Sequence, residues 1–398
     1  MQVKERVILH SDVNNFFASV ECASRSELKD KPVAVTGNPQ KRTGIILAKN
    51  EIAKKFGVKT GQIIGEAKAI CPGLVCLPPH YDLYEEISGQ LHALYLNYTN
   101  FVEPLGLDEC WLDVTDSLKY LKMTGVQIAD EIRQKVKQEF GFTVSVGVSF
   151  SKIFAKLGSD LRKPDFTTCI ERKDIEKVVY PLPLNSIVGI GKRLEKKFSS
   201  IGIETIGDFV KLEERYLENL MGINGVRLKQ DLLGEREEKV ADYYSLPAPK
   251  SIGNGTTTLK DIMDRRDVEK VIYFLAEKIS YRMIKHKVLA STLSITLKTK
   301  DLKTYHISRK INPTNGIDDL AKNALALCDK IWKYNYPLRA IRVKGSNFTS
   351  ANARQLSLFD EVKPDFSQTL KYINDKYGKI GLASDSASFI NKSSHPQE

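Results

Sequence analysis

Apolar positions change their spacing several times along the chain, and each change marks an element. Val7-Ile8-Leu9 is a short apolar run of buried-strand type that ends in His10-Ser11-Asp12, with a helix-like stretch over 15–24 behind it. Segments 101–105 and 110–114 read as two further strands. Ile128, Ile132 and Val136 recur at helical spacing, and Val144, Val146 and Val148 alternate at strand period. The order is β, α, β, β, α, β, for which a split-βαβ, ferredoxin-like layer is the natural topology. The long, polar and basic stretch between its first two strands, 13–79, predicts an inserted subdomain.

After Lys163-Pro164 the pattern shortens into small helices punctuated by glycine, at Val188-Gly189-Ile190-Gly191-Lys192 and Met221-Gly222-Ile223-Asn224-Gly225. Both fit helix-hairpin-helix turns. There glycine lets the backbone come close, so that N–H groups at a helix start hold a DNA phosphate without reading sequence. A glycine between helices is most often only a C-cap, so two tandem copies say more than one. Gly189, Gly191, Lys192, Gly222 and Gly225 are the candidate DNA contacts. Residues 239–250, with Pro247 and Pro249, read as an extended linker. A second β, α, β, β, α, β order follows, its first helix marked by Val268, Ile272, Leu275, Ile279 and Met283. From 349 the chain turns polar and largely unpatterned.

The 398 residues suffice for two to four domains, and 42% hydrophobic with 27% charged residues excludes a mainly disordered chain. The net charge of +11 suits a polyanionic partner. It is unevenly placed: 241–350 holds 14 Lys and 6 Arg against 10 acids, a net of +10. The six cysteines include no CxxC pair and the six histidines no zinc-type spacing, which argues against structural zinc. The first residues lack the apolar run of a leader, and no stretch of about 18 apolar residues occurs. A cytoplasmic protein with reduced thiols and no membrane contact is expected.

Asp12 ends the first strand, and Asp108-Glu109 lies in a turn before a neighbouring strand of the same sheet. Three carboxylates could converge there. Oxygen-only donors select hard cations, so Mg²⁺ is the expected ion, with substrate phosphates completing its octahedron. Two such ions roughly 3.5–4 Å apart clamp the attacking and leaving oxygens of a phosphoryl transfer. An isolated Asp-Glu pair would ordinarily be a solvated turn.

Four strings change that weighting: Asp12-Val13-Asn14-Asn15-Phe16-Phe17-Ala18-Ser19-Val20-Glu21; Lys55-Phe56-Gly57-Val58-Lys59-Thr60-Gly61; Leu107-Asp108-Glu109; and Val146-Gly147-Val148-Ser149 with Lys152-Ile153-Phe154-Ala155-Lys156 and Lys163-Pro164. In this order they resemble the Y-family translesion DNA polymerases, of the bacterial polymerase IV type, over about 1–350. The resemblance implies an α+β right-hand polymerase: a ferredoxin-like palm (1–12 and 80–165), small fingers (13–79), a helix-hairpin-helix thumb (166–238), a linker (239–250), a βαββαβ little finger (251–350) and a C-terminal tail (351–398). It implies DNA-templated extension of a primer by dNTPs, with low fidelity and low intrinsic processivity, in a monomer. By this likeness Asp12, Asp108 and Glu109, with the Val13 main-chain carbonyl, hold two Mg²⁺, for which Mn²⁺ could substitute. Phe17 matches the steric gate that excludes a ribose 2′-hydroxyl. Asn15, Phe16, Lys54 and Lys163 join it as nucleotide contacts.

The chain departs from the family in places. Asn14 replaces the second acid of the common Asp-x-Asp string, a form closer to the polymerase V branch, and Gly106 replaces a frequent serine. Glu51 stands where the family often has a tyrosine that touches the triphosphate, and a carboxylate there is expected to point elsewhere. Gln355, Leu356, Ser357, Leu358 and Phe359 match the pentapeptide by which bacterial polymerases dock on the sliding clamp: glutamine makes polar anchors while leucine and phenylalanine fill an apolar pocket. Two other classes stay open. Retention of all three acids argues against a non-catalytic DNA-binding protein on this scaffold. The glycine turns and basic C-terminal segment disfavour a palm-type nucleotidyl cyclase.

Overall fold

The computed structural model describes residues 5–38, 44–333 and 336–351. They fall into two compact units, the first comprising Met1–Gly37 and Ile45–Leu246 and the second running mainly from Pro247.

In chain order the strands of the first unit are β1 (Ile8–Val13), β2 (Val33–Thr36), β3 (Ile46–Lys49), β4 (Val75–Leu77), β5 (Val102–Leu105), β6 (Glu109–Asp113), β7 (Val144–Ser149) and β8 (Thr167–Ile170). Five of them make one sheet in the order β5-β6-β1-β7-β8. The antiparallel part, β5-β6-β1-β7, is the ferredoxin-like arrangement. β8 is added in parallel beside β7 through the helix Lys152–Leu161. Every residue of the central β1 is buried because both of its faces are covered. Leu9 and Val13 face a core built with the helices Tyr81–Leu96 and Gly125–Phe140. Ile8 and His10 face Ala155 and Ser159 of Lys152–Leu161.

That second helix lies unusually close to the sheet. A Cβ on Gly147 of β7 would stand 1.8 Å from the Ala155 carbonyl oxygen and 2.6 Å from the Ser159 nitrogen, so no larger residue fits there. On the opposite side of Gly147 in the sheet sits its register partner His10.

The insertion folds around its own small core of Ala34, Ile46, Ala53, Val58, Ile64, Ala67, Cys71 and Leu74, with a three-stranded sheet β3-β2-β4. Its expected start at 13 differs from the packing: Phe16 and Val20 of the helix Phe16–Ala23 belong to the core of the large sheet. The end of that sheet also extends past 165, because β8 completes it. Short helices, Lys192–Ser199, Ile206–Val210, Glu214–Met221 and Ile223–Leu233, then pack around Phe198, Phe209, Leu217 and Leu232.

The expected linker is only partly free. Val240 is buried against Ile8 and Ala155, the Ala241 amide donates to Glu103 Oε2 at 2.9 Å, and the Tyr243 amide donates to the Asn100 carbonyl at 2.9 Å. Lys152, almost fully buried, ties this strap down: its ammonium reaches Glu103 at 2.8 Å and Glu238 at 3.2 Å and lies 4.4 Å from the Trp111 ring centroid. The first unit therefore ends only at Leu246.

The second unit contains β9 (Ser251–Ile262), β10 (Val288–Thr299), β11 (Thr304–Thr314) and β12 (Leu338–Ser350), ordered β11-β10-β12-β9, with the helices Arg265–Lys285 and Ile317–Ile331. Leu293, Ile295, Leu297, Ile341 and Val343 join both helices in its core. By the period of two, Thr292, Thr296, Lys298, Arg342 and Lys344 then point away from the helices.

Replacing Gly147 by alanine should force the helix Lys152–Leu161 off the sheet and cost about 3 kcal/mol or more of stability, by the cost of overpacking. Urea unfolding of the variant measures this; a midpoint equal to wild type would contradict the close contact.

Candidate active site

Strand register sets the site. In the antiparallel pair of β1 and β6, Ile8 faces Asp113, His10 faces Trp111 and Asp12 faces Glu109. Alternation puts Asp12 and Glu109 on one face, side by side, on the side covered by Lys152–Leu161. The turn that brings in Asp108 is tied to the end of β1, where the Val13 amide donates to the Asp108 carbonyl at 3.0 Å.

Like charges directly across a strand pair repel, and the helix answers with cations. Lys156 pairs with Glu109, and Lys163, just beyond the helix, reaches Asp12 Oδ2 at 2.8 Å and Asp160 Oδ1 at 2.9 Å. Lys163 is held in place from behind: Arg133 donates from Nε and Nη2 to Asp165 Oδ1 at 3.1 and 2.9 Å. His10, fully buried, lies 3.2 Å from Glu109 Oε2 by its Nε2, and its Nδ1 meets Ser159 Oγ at 2.8 Å.

These surroundings separate the acids. Burial raises the Asp12 carboxyl to about 6, although Lys163 opposes it. Burial also raises Asp108, and the Glu109 charge adds to that. At Glu109 burial acts upward too, but the neighbouring Lys156 and His10 side chains outweigh it and bring the group down to about 2.

Asp12, Val13, Asn15, Phe16, Phe17, Asp108, Glu109, Asp160 and Lys163 line one cleft of about 340 Å³. Eight expected residues thus come together. Phe16 borders the cleft while its ring, 3% exposed, packs in the core. Phe17 stacks on Tyr84 with centroids 4.3 Å apart and planes at 12°. The Tyr84 hydroxyl donates to the buried Glu21 at 2.6 Å, and His80 Nδ1 lies 2.7 Å from the same oxygen, so the Phe17 ring rests on an anchored platform. Asn14 spends its amide on structure, donating to Thr143 Oγ1 and accepting from Ser145, both at 3.0 Å. Its side chain is thereby removed from ion binding. Asn15 sits in the left-handed region at φ 55°, which asparagine tolerates, and donates to Glu51 Oε1 at 2.8 Å.

Two expected contacts have other partners. Lys54 is not among the cleft's lining residues; it pairs with Glu51 at 3.3 Å, because the short helix Glu51–Lys55 carries both on one side. Lys49 and Thr60 line the cleft instead. Gly225 is buried inside a helix crossing, where a Cβ would stand 2.8 Å from the Leu217 carbonyl oxygen, so it serves packing and cannot touch a phosphate. Gly222 (φ +66°) and Gly189 (φ +97°) do need glycine, and nothing lies within 4 Å of a Cβ built on Gly189, Gly191 or Gly222. Lys192 is exposed at the start of its helix.

Sequence reading missed Lys156, His10, Ser159 and Tyr84. A usable signal existed for one of them: Lys152, Lys156 and Asp160 recur at i, i+4, i+8 on a helix, one face that must meet something charged.

As a test of ion binding, the donor set is all oxygen, three carboxylates and a carbonyl, which fits a hard divalent cation. Among the described residues no three acidic, histidine or cysteine side chains are drawn to ligand distance of one point. Lysine ammoniums take up Asp12 and Glu109 instead. The 340 Å³ cleft and these exchangeable partners leave the site compatible with such an ion.

The raised Asp12 has a consequence for stability. The fold holds this proton more tightly than the unfolded chain does, so the associated stabilisation is full below about pH 3.8 and lost as pH rises through about 6. The lowered Glu109 acts oppositely, stabilising above 4.5 and losing that contribution as pH falls towards 2. In EDTA at pH 8, Asp12→Asn should be more stable than wild type by up to roughly 3 kcal/mol, with no gain at pH 4. Urea unfolding at both pH values reads this, and a loss at pH 8 would contradict it.

Comparison with known proteins agrees with this geometry. Profiles of the impB/mucB/samB family match residues 11–160, its C-terminal domain matches 249–358, and its helix-hairpin-helix motif matches 172–203. The chain is 40% identical to DNA polymerase IV of Acetivibrio thermocellus, covering 90% of each chain, and 34% identical to DNA polymerase IV 1 of Bacillus subtilis, covering 95% of this chain and 92% of that one. A Y-family DNA polymerase chimera of Dbh and Dpo4 superposes with a TM-score of 0.76 at 25% identity, over 86% of this chain and 99% of the chimera. The ferredoxin-like sheet, the helix-hairpin-helix segment and the separate β-sheet unit are the palm, thumb and little finger of that fold. With motifs, architecture and relatives in agreement, the chain belongs to the impB/mucB/samB family, the Y-family DNA polymerases of the polymerase IV type.

Proposed function

We propose that this DNA-directed DNA polymerase carries out translesion synthesis by two-metal phosphoryl transfer in the cleft at the end of β1. The observation that carries the reading is the meeting of Asp12, Asp108, Glu109, Phe17 and Lys163 in that one cleft. The reaction joins the primer 3′-hydroxyl oxygen to the α-phosphorus of a dNTP, and the α–β bridging bond breaks to release pyrophosphate.

Asp12, Asp108, Glu109 and the Val13 carbonyl would hold the ions, Mg²⁺ by donor chemistry. Bound there, two divalent ions would neutralise charge developing on the transferred phosphate and on the attacking and leaving oxygens. The chain's own residues do the positioning. Phe17, stacked on Tyr84, occupies the sugar end of the cleft. Lys163 offers a cation to phosphate when Asp12 turns to an ion. Lys156 and His10 keep Glu109 ionised and aimed at the cleft.

Duplex holding falls to other surfaces. In the second unit the four strands carry seven Lys and Arg against one acid, Asp261, while most of the acids among its described residues lie on the helices. Lys310, Lys298, Arg342 and Lys344 stand on the helix-free face among Thr292, Thr296 and Ser308. Gly253 and Gly255 leave room for the stems of Lys344 and Arg342, each within 3.0 Å of where a Cβ would be. Cations and hydroxyls with a single strand carboxylate, Asp261, suit a phosphate backbone held irrespective of sequence. The turn at Gly189, Gly191 and Lys192 is a second such contact. The clamp pentapeptide at 355–359 lies outside the described residues; its placement after the last domain supports docking on a sliding clamp. Among the described residues no helix is long and apolar enough to cross a membrane.

Wild type should extend a primer across an abasic or minor-groove-adducted template with Mg²⁺, and Asp108→Ala should not; extension by the variant would remove the metal assignment. Phe17→Ala should raise ribonucleotide incorporation by an order of magnitude or more, and unchanged sugar selection in an active variant would remove the gate. DNA affinity should fall steeply with salt, with a smaller slope for a Lys298→Ala, Arg342→Ala, Lys344→Ala triple variant. With clamp loaded, Leu358→Ala with Phe359→Ala should lose processivity; equal product lengths would refute docking.

A further inference from the structure

The lysines around the cleft differ in what they already hold. Lys163 is paired with Asp12 and Asp160, Lys156 with Glu109, and Lys54 with Glu51. Lys49 also lines the cleft, yet among the described residues no carboxylate pairs with it. Its ammonium donates to a neutral oxygen, Thr60 Oγ1, at 3.1 Å.

Its position is well determined. Lys49 ends β3, with Ala34 of β2 as register partner. The next residue, Asn50, caps the helix Glu51–Lys55 by accepting from the Ala53 amide at 2.9 Å, accepts from the Val33 amide at 3.0 Å, and donates to the Lys31 carbonyl at 2.8 Å. The chain around Thr60 is tied back to the same strand, the Gly61 amide donating to the Ile46 carbonyl at 2.8 Å. Burial pushes the Lys49 ammonium below its ordinary range and the nearby Lys54 pushes it further, with the Glu51 carboxylate opposing them only in part. A half-buried cation with no carboxylate at ion-pair distance among the described residues, on the wall of a cleft that also holds four carboxylates, is electrostatically incomplete.

Within the polymerase reading, on which this inference rests, the most anionic part of the substrate is the triphosphate. We infer that Lys49, steadied by Thr60, contacts the triphosphate of the incoming nucleotide, beside Lys54 and Lys163, to which the family resemblance gives that task. A compact ammonium meets phosphate oxygens as a point charge and needs no forked geometry. Glu51 is kept from repelling the phosphates because Asn15 and Lys54 engage it.

Single-nucleotide insertion by wild type, Lys49→Met, Lys49→Arg and, as an exposed control, Lys68→Ala tests this. Lys49→Met keeps the apolar stem and removes only the charge. The expected result is a KM for dNTP raised about tenfold or more with kcat within about twofold, and a parallel weakening of inhibition by pyrophosphate. Lys49→Arg should recover most of the loss, and Lys68→Ala should match wild type. The Kd for dNTP on a complex with a dideoxy-terminated primer, where no bond can form, is measured alongside. A KM, a Kd and a pyrophosphate inhibition all within about twofold of wild type in Lys49→Met would overturn the inference while leaving the polymerase reading intact. Conversely, a dNTP affinity that depends on Lys49 in a wild-type enzyme unable to extend primers would overturn the polymerase reading and uphold the inference. A general loss of stability in Lys49→Met without rescue by Lys49→Arg would assign Lys49 a structural role and overturn it as well.

Discussion

Two carboxylates held side by side across one strand pair are the constraint around which the first unit is arranged. The register of β1 against β6 makes Asp12 and Glu109 direct neighbours, and both are partly or fully removed from water. That pairing is unfavourable in isolation. It persists because a helix lies close enough to the sheet to offer Lys156 and Lys163, and the helix can lie so close because Gly147 has no side chain. The same closeness buries His10 between Ser159 and Glu109. Cleft acids, counter-charges and glycine form one packing solution.

The division between chemistry and grip follows from where each charge can be tolerated. Acids gather where lysine heads can meet them and where a divalent ion would suit the oxygen donors. The second unit does the reverse, concentrating cations on the open face of its sheet and most of the acids among its described residues on the helices behind. A chain whose net charge is +11 thereby keeps charge of opposite sign at the cleft and at this sheet face.

Much of this was legible in the residues. The order of strands and helices predicted both βαββαβ layers, and the motif strings singled out Asp12, Asp108, Glu109, Phe17 and Lys163, all of which the fold gathers. Local signals failed where a neighbour in space decided the outcome. Gly225 read as part of a phosphate-binding turn, but the Leu217 carbonyl of a crossing helix occupies that side. The linker read as free over 239–250, but Val240 and Ala241 find apolar and carboxylate partners far away in sequence.

The sequence by itself determined the elements, their order and the chemical identity of the acids, because periodicity and motif are local properties of the chain. Tertiary structure decided which charges are compensated and which are left over. Tyr84 became the platform for Phe17 because Glu21 anchors its hydroxyl, and Lys49, among the described residues, meets Thr60 rather than a carboxylate at ion-pair distance. Electrostatic balance is a sum over neighbours in space, and only the folded chain specifies who those neighbours are.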